Sequence, residues 1–139
     1  MRNIKLTVAY DGTGYYGFQE QRGTGLPTIQ ETLEKTISKM EGNYIQIYGA
    51  GRTDSGVHAR GQVISFDSGT WPIPTEKIVP ALNSVLPDDI VVLNAENVMP
   101  SFHARFSALG KDYIYVIYND RIPSPFETRY SYFTPTKLN

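Results

Sequence analysis

Thr28-Ile29-Gln30-Glu31-Thr32-Leu33-Glu34-Lys35-Thr36-Ile37-Ser38-Lys39-Met40-Glu41-Gly42-Asn43 carries its own start, face and stop. Thr28 and Glu31 form the pattern of a capping box after Pro27. Ile29, Leu33, Ile37 and Met40 recur at helical spacing, and Gly42-Asn43 halts the run. A helix here has strands on either side. Upstream, Asn3 to Tyr10 places Ile4, Leu6 and Val8 on one face and Lys5, Thr7 and Ala9 on the other, the period of a half-buried strand. Downstream, Tyr44 to Tyr48 and Gln62 to Phe66 read as two further strands. Thr75 to Val85 sets Ile78, Ala81, Leu82 and Val85 at helical spacing, with Pro80 expected to kink the first turn or mark the true start. After the turn Leu86-Pro87-Asp88-Asp89, Ile90 to Val98 reads as a fourth strand.

The order is β-α-β-β-α-β, which predicts an α+β, ferredoxin-like domain, an antiparallel sheet with two helices on one face. Lys111 to Tyr118 reads as one more strand, and Arg121 to Asn139, with three prolines, shows no periodicity. The expected organisation is a domain over 1–108 and the start of a truncated second domain over 109–139.

Composition narrows the function. The 139 residues, 40% hydrophobic and 19% charged, suit one folded domain of roughly 150 residues or one and a fragment. With no cysteine, thiolate nucleophiles, disulfide scaffolds, zinc ribbons and iron–sulfur clusters are excluded. The start, Met1 to Leu6, is not followed by the apolar stretch of a signal peptide, and no apolar run approaches the roughly 18 residues of a membrane span, so a cytoplasmic protein without membrane contact is expected. Thirteen Lys and Arg against fourteen Asp and Glu give a net charge of −1, so any nucleic-acid site must be a local patch.

The densest chemistry lies in Gly49-Ala50-Gly51-Arg52-Thr53-Asp54-Ser55-Gly56-Val57-His58-Ala59-Arg60-Gly61, which puts four glycines, two arginines, a histidine and one carboxylate between two strands. Backbone N–H groups and the guanidinium forks of Arg52 and Arg60 can converge on phosphate. It is neither a P-loop nor a dinucleotide fingerprint, because no Gly-Lys-Ser/Thr follows and the third glycine is missing. A charge two residues away at Arg52 can hold Asp54 ionised, as nucleophilic or general-base work requires. A serine-hydrolase reading of Ser55, His58 and Asp54 lacks the nucleophile elbow. A metal site from His58, His103 and Asp54 would need three distant residues to meet. Asp11 is more simply a turn aspartate than a second acid. Tyr15, Tyr16, Phe18 and Arg22 form a loop with rings able to stack and a cation able to contact phosphate.

Gly51 to Ala59 strongly resembles the catalytic motif of the TruA family of tRNA pseudouridine synthases. Three blocks match in the same order: Tyr10-Asp11-Gly12-Thr13 to Gly17-Phe18-Gln19, Leu82-Asn83 to Asp88-Asp89-Ile90, and Phe102-His103-Ala104-Arg105-Phe106-Ser107-Ala108 followed by Tyr113-x-Tyr115. The resemblance implies isomerisation of uridine to pseudouridine in the anticodon arm of tRNA, at positions 38 to 40 in tRNA numbering, without a cofactor or metal. It implies Asp54 as the catalytic carboxylate, Arg52 as its partner or a phosphate clamp, and Tyr113 as a ring stacked on the uracil. Arg60, Arg105, His58, Tyr16 and Phe18 are the expected substrate-binding residues, and a homodimer is expected for a full-length member. The alternative is a non-catalytic ferredoxin-like RNA-binding module that lacks its second domain.

Overall fold

The computed structural model describes residues 2–19, 27–51, 56–69, 71–104, 117–119 and 132–134. The strand expected first, β1 (Asn3–Tyr10), buries Ile4, Leu6, Val8 and Tyr10 and turns the intervening residues outward. It is the centre of the sheet. On one side it pairs antiparallel with β3 (Ala59–Asp67), Leu6 opposite Ile64. On the other it pairs antiparallel with β4 (Ile90–Val98), with an irregularity in register between Thr7 and Val8. A two-residue strand, β2 (Tyr48–Gly49), adds to the free side of β3, giving the order β2-β3-β1-β4. With α1 (Ile29–Glu41) after β1 and α2 (Thr75–Asn83) after β3, this is the expected ferredoxin-like topology.

The core is the layer between sheet and helices, where Ile29, Leu33 and Ile37 of α1 and Ile78 and Leu82 of α2 meet Ile4, Leu6, Val8, Ile64 and Phe66. The boundaries of α1 follow the local chemistry read from sequence. Thr28 Oγ1 accepts from Glu31 N–H at 3.2 Å, and Gly42, at φ +96°, closes the helix in the left-handed conformation that a glycine adopts without strain.

Three expected elements differ. The strand over Tyr44 to Tyr48 is reduced to β2, although its side chains do alternate, Ile45 and Ile47 facing inward. Its backbone is claimed by α1: Ser38 Oγ accepts from Ile45 N–H at 2.8 Å and Glu34 Oε1 from Ile47 N–H at 3.1 Å. The expected strand over Gln62 to Phe66 starts three residues earlier and ends one later, because β1 runs alongside it over that whole length, pairing Tyr10 with Ala59 and Asn3 with Asp67. In α2, Pro80 lies inside the helix rather than at its start. The helix stops at Asn83, whose amide accepts from Val92 N–H at 2.8 Å and donates to Val92 O at 2.9 Å, and Val85 beyond it is 57% exposed.

Glu34 is only 4% exposed, so its carboxylate serves the chain rather than solvent. Truncating it strands a buried N–H, which costs about 1–3 kcal/mol. Glu34→Ala is therefore expected to lower the unfolding free energy by that much, read as a lower denaturant midpoint at unchanged slope, and an unchanged midpoint would refute this account of the 44–47 segment.

Contacts divide the chain into two compact units, Met1–Leu109 and Gly110–Asn139. In the second, β5 (Ile117–Asn119) and β6 (Tyr132–Thr134) pair in parallel. Of the strand expected over Lys111 to Tyr118, residues 111–116 lie outside the described residues. A three-residue strand such as β6 is too short to show a period.

Candidate active site

The glycine-rich loop joins β2 to β3, and both of its described ends are fastened. At the β2 end, Ala50 N–H donates to Val63 O at 2.9 Å and Gln62 Nε2 to Gly51 O at 2.8 Å. At the β3 end, Gly56, at φ +78°, donates its N–H to Tyr15 O at 3.3 Å. Arg52 and Asp54 lie between these ends, outside the described residues, as do Arg105, Tyr113 and Arg22.

The β3 end rests on the turn that follows β1. Asp11 accepts from Thr13 N–H at 3.0 Å and from Thr13 Oγ1–H at 2.5 Å, the turn role expected of it, and a single 3-10 turn runs over Gly12–Gly14. Gly12 sits so close to the loop that a Cβ there would stand 2.1 Å from Val57 O, so only glycine fits without displacement. Its N–H donates to His58 Nδ1 at 2.9 Å, and Asp11 Oδ1 lies 3.1 Å from the same nitrogen. These two contacts demand opposite states. An unprotonated Nδ1 accepts from Gly12, whereas a protonated one donates to Asp11.

That turn is in turn tied to the segment before β4. Asp11 N–H donates to Asp89 O at 2.9 Å, and Tyr15 Oη–H donates to Asp89 Oδ1 at 2.7 Å. Burial first, and then the hydrogen bond to Asp89 and its negative charge, push the Tyr15 hydroxyl far above its ordinary value, so it remains a donor at neutral pH. The turn pattern Leu86-Pro87-Asp88-Asp89 in the sequence gives no hint of this contact. Two residues 74 apart with no shared period leave no local signal.

The other expected site residues separate. His58 is half-buried against the turn, and Arg60 is exposed near the start of β3. Tyr16 is 47% exposed, with its N–H donated to Pro27 O at 2.8 Å. Phe18 is a correction. It is 3% exposed, its ring packs 6.4 Å from that of Tyr10, and it fills the space over Gly49, where a Cβ would lie 2.5 Å from it. A ring so enclosed serves the core and is not open to a base.

The residues just before Arg105 return across β3 on the face away from the helices. Ala104 N–H donates to Ser65 Oγ at 2.9 Å, and His103 lies 4.5 Å, ring centre to ring centre, from Tyr48. Tyr48, Ser65 and His103 border, with Asn3 and Phe102, a cavity of about 140 Å³. Among the described residues no helix is long and apolar enough to cross a membrane.

The chain is similar to known proteins over most or all of its length. Residues 6–107 match the tRNA pseudouridine synthase family. The chain is similar to tRNA pseudouridine synthase A of Thermoanaerobacter sp. (strain X514), 48% identical over 139 residues, which are 100% of this chain and 56% of that protein. The same-named protein of Moorella thermoacetica is 50% identical over 129 residues, 93% of this chain and 52% of its own. That of Brachyspira hyodysenteriae is 44% identical over 133 residues, 96% and 53%. The chain thus spans about half the length of the curated relatives it matches.

Proposed function

Since the chain belongs to the tRNA pseudouridine synthase family, we propose that it isomerises uridine to pseudouridine in the anticodon arm of tRNA, at positions 38 to 40, with Asp54 as the catalytic carboxylate. The observation that carries this reading is the fastening of both ends of the loop that bears the Gly-Arg-Thr-Asp sequence. A loop serving only as a connection needs no such anchorage, whereas a reacting carboxylate must be held in place.

The reaction breaks the N1–C1′ glycosidic bond, turns the uracil and joins C5 to C1′. N1 gains a proton and C5 loses one, so no electrons or groups are exchanged and no cofactor is consumed. Asp54 starts it by attack at C1′, by addition to the ring or by taking a proton from C2′. Arg52 pairs with Asp54 or holds a flanking phosphate, and helps keep the target nucleotide out of its stack. Tyr113 stacks on the uracil and serves proton transfer. Arg60, Arg105 and Tyr16 contact the RNA. His58, beside the loop that carries Asp54, contacts it as well. In this reading residues 1–108 are the catalytic-loop domain and 109–139 begin a second, in a cytoplasmic enzyme that acts as a homodimer.

A second reading has one observation in its favour, the half-length match to the relatives. On that reading the chain binds tRNA through Arg52, Arg60 and Arg105 without reacting, with affinity that falls as salt rises. Chromatography of nucleosides from the excised anticodon arm of unmodified tRNA incubated with the chain, beside a binding isotherm at several salt concentrations, separates the two. Pseudouridine in the anticodon arm is expected. Salt-dependent binding without product would replace catalysis by the binding module, and absence of binding would remove both.

A further inference from the structure

The segment that supports the loop is itself supported from a distance, by a residue the proposed reaction does not use. Asp89 holds the turn after β1 at both ends: its backbone oxygen accepts from Asp11 N–H at 2.9 Å and its carboxylate from Tyr15 Oη–H at 2.7 Å. Between those two points the turn presents the groups that meet the loop. Gly12 N–H reaches His58 Nδ1, Gly12 Cα abuts Val57, and Tyr15 O receives Gly56 N–H. All three contacts fall on residues 56–58, immediately after the stretch that carries Asp54.

From this geometry we infer that Tyr15 and Asp89 are positioning residues for the reaction, a strap that sets the β3 end of the catalytic loop from the segment preceding β4. The inference rests on the proposed role of Asp54. The strap works because the hydroxyl and the carboxylate are both half-buried, where one hydrogen bond is less easily exchanged for water than at the surface. Without it the turn keeps its Asp11–Asp89 backbone bond but loses the hold on its far end, and Gly56 loses a fixed acceptor. The Tyr15 hydroxyl is also held strongly in its protonated, donating form, as a permanent strap needs.

The test uses three variants and two readouts. Tyr15→Phe and Asp89→Ala remove the bond, and Asp89→Asn keeps an acceptor oxygen for the Tyr15 hydroxyl. Amide hydrogen exchange in the free chain is expected to speed up at Gly12 and Gly56, about 10-fold or more, in the first two variants, with the amides of α1 as protected as before. In the assay with tRNA, kcat is expected to fall on the order of 10-fold to 10²-fold while KM stays within about 2-fold, since a displaced reacting group costs rate rather than affinity. Asp89→Asn is expected to restore both readouts. Unchanged exchange at Gly12 and Gly56, or faster exchange spread evenly through α1, would overturn the strap. Local loss of protection in a chain that makes no pseudouridine would instead overturn the functional reading and leave the strap standing.

Discussion

Asp54→Asn is expected to lower turnover on the order of 10³-fold or more while leaving affinity for tRNA nearly unchanged. Asparagine matches the shape of aspartate but has no anionic oxygen to attack carbon or take a proton, and losing a group that acts as nucleophile or base removes stabilisation made only in the transition state. Ground-state binding depends on other groups in this account: the arginines on phosphate, Tyr16 and Tyr113 on bases. Single-turnover rates beside binding isotherms separate the two effects. Turnover within about 10-fold of the parent would show that another group does the chemistry.

Gly12→Ala is expected to reduce kcat on the order of 10²-fold with little loss of global stability. The added Cβ would lie 2.1 Å from Val57 O and 2.8 Å from Val57 C, both backbone atoms that cannot swing aside. The turn or the loop must therefore shift by about an ångström, and displacements of that size in a reacting group cost about 10²-fold. The bond from Gly12 N–H to His58 Nδ1 would stretch or break with it. Because the clash lies outside the layer between sheet and helices, the thermal midpoint should move only slightly. Gly14→Ala provides the contrast, since a Cβ there meets no described atom within 4 Å. Full activity in Gly12→Ala, or equal damage from both substitutions, would contradict the proposed support of the loop.

The parts of the fold that were legible are those whose cause is local. Ile4, Leu6 and Val8 alternate because β1 is buried on one face only, and Thr28 and Gly42 end α1 through bonds a few residues long. The Tyr44 to Tyr48 segment misled because periodicity reports which way side chains face, not what satisfies the backbone. Ser38 and Glu34 do that work where a neighbouring strand would. Phe18 misled for a related reason. An aromatic among glycines can plug a core or face solvent, and the deciding feature is the bare backbone of Gly49 more than thirty residues away. The loop motif was visible from its residue types. Its supports were not, because Tyr15–Asp89 and Gly12–His58 join parts of the chain that only the sheet brings together.

The central claim is that the Asp54 carboxylate drives uridine isomerisation, and C5 must lose its hydrogen when it becomes the glycosidic carbon. The most direct measurement is release of tritium from C5-labelled uridine in unmodified tRNA, by the 139-residue chain and by its Asp54→Asn variant. The account predicts release by the chain and none above background by the variant. Equal release from both, or no release from either while tRNA remains bound, would contradict it.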